Sequence, residues 1–148
     1  MVSSSPLRQL VGLAVGVAVG LVAISGCGRA VTVTPPEPAF ASACTPYFAA
    51  LPDELGGERR LTIDPETGQT AAWGAPPVIW RCGVASPVNL ADDSQLVEVA
   101  GSQWFPEELS DGARFTSVGS EPAIEVTVPS EYPTPVAFLG AFRTPDSA

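Results

Sequence analysis

Fifteen consecutive residues, Leu10 to Ile24, carry no polar side chain, and three positions later stands Cys27, the first of three cysteines. This arrangement divides the chain before any fold can be considered. A short polar start bearing one positive charge (Arg8), an apolar run of that length and the small residues Ser25 and Gly26 have the layout of a secretory leader. The run is shorter than the roughly 20 residues that comfortably span a bilayer. Residues 1–26 are therefore expected to leave the fold as a signal peptide. Residues 27–43 contain Pro35, Pro36 and Pro38 and read as an extended spacer. About 100 residues (44–143) remain for a single domain with a modest core, and residues 144–148 read as a tail.

The tetrapeptide Ile24-Ser25-Gly26-Cys27 resembles the lipobox of bacterial lipoproteins: an aliphatic residue, two small residues, then Cys. The resemblance implies that the Cys27 thiol takes a diacylglyceryl group and that the leader is cut on its N-terminal side. The mature chain would then sit on the extracytoplasmic face of the cell membrane, with the membrane itself its first partner. The alternative is an uncleaved signal anchor, its apolar run extended to Gly28. Both readings place the domain outside the cytoplasm, because Arg8 favours an inside N-terminus. Two or more acyl chains would make the anchoring stable.

With Cys27 taken by lipid, Cys44 and Cys82 remain, an even number in an oxidising compartment, and a single pairing is open to them. The competing reading makes one of them a reactive thiol. Neither His nor Lys occurs in the chain to hold a thiolate. The absence of His also closes Ser-His and Cys-His nucleophile schemes and His-containing zinc sites. Removal of the leader leaves six arginines against sixteen carboxylates. Such a surface argues against nucleic acid as a partner, and no cofactor or metal is expected.

The pattern beyond Cys44 reads as α+β: about five mostly antiparallel strands, two short helices on one face and one disulfide. Thr45 and Pro46 suggest the cap and first residue of a short helix. Thr134 and Pro135 suggest the same for a closing helix that runs to Phe142. Strands are expected over Arg59–Ile63, Pro77–Val84, Leu96–Val99 with Gln103–Phe105, Arg114–Val118 and Ala123–Val128. In the last of these Ile124, Val126 and Val128 share a face. Residues Pro106–Gly112 read as a polar loop.

Ala72-Trp73-Gly74-Ala75-Pro76, followed by Arg81-Cys82-Gly83-Val84, resembles the core signature of an actinobacterial family of small exported or membrane-anchored proteins of unknown function. Cys44 near a short helix, Leu51-Pro52, Arg59-Arg60, Trp104 and the closing Val126-Thr127-Val128-Pro129 are similar to members of that family as well. Ser120 stands where many members carry Arg. The resemblance implies a shared fold, an exported location and a Cys44–Cys82 bridge, and it carries no activity with it.

No catalytic residue is assigned. Trp73, Trp80 and Trp104 are first of all core side chains. The functional alternative is a groove in which Trp73 or Trp104 stacks on a sugar or peptide while Arg81 offers a bidentate charge partner. Arg81 stands beside Cys82, expected to be buried, and if buried itself it needs a carboxylate or carbonyls; a structural ion pair is the expected answer. Asp92-Asp93, Glu107-Glu108 and Asp64 with Glu66 fit solvated turns better than any metal-ligand or carboxylate-pair pattern. The expected function is a non-catalytic envelope module that binds a protein or a wall component. The alternative is a small carboxylate-dependent hydrolase acting on the wall.

Overall fold

The computed structural model describes residues 28–145, so the leader and Cys27 lie outside the described residues. In chain order the strands are β1 (Val31–Thr32), β2 (Glu54–Leu55), β3 (Glu58–Arg59), β4 (Ile63–Asp64) and β5 (Thr70–Trp73). They continue with β6 (Val78–Val84), β7 (Val97–Val99), β8 (Ser102–Leu109), β9 (Gly112–Ser117) and β10 (Ala123–Pro129). Helix α1 spans Ala41–Ala49, and 3-10 helices cover Pro38–Phe40 and Pro135–Ala141.

The centre is a six-stranded antiparallel sheet in the order β5-β6-β10-β9-β8-β7. Two short two-stranded pairs, β1 with β4 and β2 with β3, stand beside it. The expected α+β architecture is present, with one strand more in the main sheet than the sequence suggested. The added strand is β5 (Thr70–Trp73), and β8 is also longer, running straight through Pro106 to Leu109 where a polar loop was expected. A two-residue turn at Ser110 and Asp111 joins β8 to β9, and Leu109 pairs with Gly112. That register points the Trp104, Pro106 and Glu108 amide positions away from β9. β7 has ended opposite Trp104, so the donor that Pro106 lacks falls on a free edge, where proline is tolerated. On the other side of β8, Ala100 and Gly101 turn the β7–β8 hairpin with φ of 52° and 81°. Positive φ at both central residues is the hairpin geometry that matches strand twist.

Alternation sorts the sheet into two faces. Val78, Trp80 and Cys82 of β6 share one face with Ile124, Val126 and Val128 of β10, all buried. Ala71, Trp73, Trp104 and Phe115 join them, as do Cys44 of α1 and Leu139 of the closing helix. The Ile124, Val126, Val128 face expected from the sequence is the one that is buried. Cys44 and Cys82 form the disulfide, with Cα atoms 5.8 Å apart. It joins α1 to a central strand, and both residues are fully buried.

Both expected helices form, with different ends. Helix α1 starts at Ala41 and carries Pro46 within it. Thr45 does not cap; its hydroxyl donates back to the Ala41 carbonyl at 3.3 Å. The closing helix has Pro135 in its first turn as expected, but it is 3-10 and Thr134 makes no side-chain cap bond. The stretch read as a spacer also packs onto the domain. The Val31 N–H donates to the Thr62 carbonyl at 2.9 Å, the Val33 N–H donates to Asp64 at 3.2 Å, and Val33 is buried. Residues 59–63, read as one strand, are divided: Arg59 pairs with Glu54, and Ile63 pairs with Val31.

Candidate functional site

The sheet face opposite the core is built by the residues that alternate outward. In register across it lie Arg81 on β6, Glu125 and Thr127 on β10, Arg114 and Thr116 on β9, and Glu107 on β8. Cross-strand neighbours on one face stand within reach of each other's side chains, and here the charges alternate. Glu107 accepts two hydrogen bonds from Arg114, from Nε at 3.0 Å and from Nη2 at 3.2 Å. Glu125 lies between the two arginines, with Oε1 at 3.0 Å from Arg81 Nη1 and Oε2 at 3.9 Å from Arg114 Nε. The row reads Glu107, Arg114, Glu125, Arg81, beginning on an anion and ending on a cation. The hydrogen bonds to Glu107 hold the Arg114 guanidinium above its ordinary value; burial opposes this, and the charges of Glu107 and Glu125 reinforce it.

A hollow of about 380 Å³ opens over this row. Pro35 and Pro36 form one wall, and Val84 to Val88, the segment that leaves β6, forms another. The arginines remain partly open, with side chains 29% and 36% exposed for Arg81 and Arg114. Val88 on the rim is 95% exposed, the single large hydrophobic so exposed among the described residues.

Arg81 Nε is buried and finds no partner among the described residues. Thr70 stands directly opposite Arg81 across β5 and β6, and its Oγ1 is likewise buried and unpartnered. The two orphaned groups are therefore cross-strand neighbours, with Thr70 bordering the separate hollow beside Arg60, and with Arg81 facing the N-terminal cover of Pro35 to Glu37. Nearby, Gln69 Nε2 donates to the Glu37 carbonyl at 3.1 Å and to the Cys82 carbonyl at 3.2 Å. These bonds tie that cover to the sheet.

The structure separates the three residues that the sequence grouped as a groove. Arg81 faces this hollow, whereas Trp73 and Trp104 are fully buried on the opposite side of the sheet. Trp73 Nε1 donates to the Pro52 carbonyl at 3.0 Å, and its ring lies 5.7 Å from that of Phe142. Neither indole is presented for stacking, and both complete the core instead. The sequence expectation that Arg81 has a structural carboxylate partner holds, and the partner is Glu125. The sequence singles out neither Arg114 nor Val88 as a site residue, and it places Glu107 with Glu108 in a solvated turn, whereas both lie on strand β8. The outward positions of β8, β9 and β10 carried a signal, since Glu, Arg and Glu recur where a solvent-facing strand position is expected, but it required the strand register to be read.

Two other hollows lie elsewhere. One, of about 420 Å³, is bordered by Arg60, whose guanidinium carbon sits 4.5 Å from the centre of the Phe48 ring. The other is lined by Leu55, Ala137, Tyr132 and Phe138, the last two rings meeting edge-on at 5.3 Å. Among the described residues no group of three or more His, Cys, Asp or Glu side chains is placed to hold a metal ion.

No curated protein and no solved structure matches this chain. A family model described as "Protein of unknown function (DUF3515)" matches residues 9–142. The match covers nearly all of the chain, including every strand of the sheet and the paired cysteines. The chain belongs to the DUF3515 family of proteins of unknown function.

Proposed function

We propose that the protein is a lipid-anchored, extracytoplasmic binding module of the cell envelope. On this reading the leader is removed, Cys27 carries the anchor, and the outward sheet face around Arg81 meets a protein or wall component. The observation that carries the reading is the Cys44–Cys82 bridge between α1 and the central strand. Disulfides of this kind persist outside the reducing cytoplasm, which fits a chain whose N-terminus is laid out for export. With those two thiols joined, Cys27 is the cysteine left for lipid. The Trp73 and Arg81-Cys82 stretches are taken as the shared core signature of an actinobacterial lineage of such proteins.

Binding is favoured over catalysis because the hollow's carboxylates are engaged. A hydrolase of the carboxylate type needs one carboxyl held protonated as acid. Here Glu107 and Glu125 both accept hydrogen bonds from guanidinium groups, so both are occupied in a structural row rather than facing each other across a cleft. Replacement of Cys27 by Ala should release the protein from the membrane fraction and abolish acyl mass on the chain. Unchanged membrane retention of C27A would refute the anchor. Release of products from a wall fragment by the purified protein would move the function to the hydrolase class.

A further inference from the structure

Between the β2–β3 hairpin and the closing helix lies a hollow of about 380 Å³ with apolar walls, built by Leu55, Tyr132, Pro133, Ala137, Phe138 and Ala141. The fold itself holds its shape. Gly56 and Gly57 turn the hairpin with φ of 59° and 87°. A Cβ at Gly56 would come within 2.6 Å of the Phe138 ring, so the hairpin tip lies directly on that ring. Phe138 also meets Tyr132 edge-on, and the Tyr132 hydroxyl donates to the Pro76 carbonyl at 3.0 Å. At exposed Ala137 and Ala141 the closing helix contributes only methyl groups, which leaves room between helix and hairpin.

The charge around this hollow has one sign. Glu54 lines it, and no arginine does. The Glu58 side chain and the Tyr132 hydroxyl both lie over Gly74, which sets Glu58 beside Tyr132. Glu131 precedes Tyr132 in the chain. Among the described residues none of these three carboxylates forms an ion pair. Arg59 stands opposite Glu54 across the hairpin without pairing to it. Apolar walls beneath an uncompensated acidic rim call for the reverse charge in the occupant. A second copy of the chain, with sixteen carboxylates against seven arginines, would bring more negative charge instead. An anionic membrane surface is disfavoured on the same ground.

We propose that this hollow docks a basic segment of a partner protein, which inserts an apolar side chain between Leu55 and Phe138 while a flanking lysine or arginine meets Glu54, Glu58 and Glu131. A buried apolar anchor supplies the affinity, and the carboxylates select for the charge beside it. The site goes beyond the reading of the outward face around Arg81. The two hollows share no lining residue, and either can fail alone.

The test uses the full chain in phosphatidylcholine nanodiscs, with NMR signals followed at Ala137 and Phe138. The probes are acetyl-Lys-Leu-Lys-amide, its Glu-Leu-Glu counterpart and a Lys-Gly-Lys peptide that lacks the anchor. Lys-Leu-Lys should shift both signals. Removing the leucine side chain should weaken binding by about tenfold or more. Reversing the flanking charges should weaken it by about fivefold or more, and added salt should narrow that difference. Glu131 is exposed, so E131Q should melt like the parent and bind Lys-Leu-Lys about two- to fivefold more weakly. Ala137→Phe should fill the hollow and abolish binding. No shift at either position, equal binding of the two charged peptides, or equal binding with and without the leucine would overturn the proposal. So would broadening of Phe138 by a spin label on the lipid chains before peptide is added, because the bilayer would then be the occupant. Membrane retention of C27A is read without peptide, so failure of the anchor and failure of the docking site remain distinct.

Discussion

Replacing Cys44 and Cys82 together with alanine tests how far this domain depends on its crosslink. The bridge joins residues 38 apart in sequence, and the loop-closure entropy of a loop that long is worth about 4 kcal/mol in the unfolded chain. Both sulfurs are also fully buried, Cys44 on α1 and Cys82 on the core face of β6. Losing each should cost about 1 kcal/mol more in packing. The combined loss of about 6 kcal/mol compares with a total of about 5 to 15 kcal/mol for an ordinary domain. The variant should therefore be unfolded or barely folded. Urea titration followed by fluorescence measures this directly, because Trp73, Trp80 and Trp104 are all buried in the folded chain and become exposed together. The parent under a strong reductant should lose the entropic part alone. A double variant whose unfolding free energy falls by less than about 2 kcal/mol would show that the core holds α1 to β6 unaided, and the chain-entropy argument would fail.

Gly112→Ala should be strongly destabilising, by about 2 kcal/mol or more, because a Cβ there would be driven into the backbone carbonyl of Val128 on the paired strand; a melting curve matching the parent would contradict the β9–β10 register. Glu125→Gln should cost about 1 kcal/mol by leaving Arg81 and Arg114 without the anion between them, and added salt should narrow the gap between variant and parent. Tyr132 is held above the ordinary phenol value, by burial first and then by the charges of Glu58 and Glu131. The folded state therefore keeps a proton that the unfolded chain gives up. Its contribution to stability is full below about pH 10 and is lost as pH rises through the folded value. Phenolate absorbance should show the late titration, and Y132F, which also removes the hydroxyl's 3.0 Å bond to the Pro76 carbonyl, should lack it.

What the sequence disclosed was what local chemistry decides. Alternation in Ala123–Val128 is a period-two signal, and the buried face of β10 follows from it. Cysteine parity led to the pairing of Cys44 with Cys82, and Pro135 marked the start of the closing helix. Tertiary context decided the rest. Pro106 looked like a strand breaker because its tolerance depends on β7 ending where it does. Thr45-Pro46 looked like a helix start, although α1 was already a turn long there, following the 3-10 turn at Pro38–Phe40. The prolines of the N-terminal stretch promised an extended segment, but not that Val33 would be buried. The site was half legible. Arg81 could be singled out as a charge beside a buried cysteine, yet its partner Glu125 lies 44 residues away. Trp73 and Trp104 drew attention by rarity, and burial put them to another use.

The proline on β8 has a consequence for crowding. Beyond Trp104 no strand among the described residues pairs with the outer edge of β8, so backbone groups there are open to a visitor. Copies tethered to one surface, as proposed, diffuse in two dimensions and collide far more often than free copies. A strand arriving from a neighbour would find no amide hydrogen at Pro106 and would meet the exposed carboxylate of Glu108 beside it. The edge is thereby made a poor template for fibre growth, and a dense population on the membrane can remain as separate molecules.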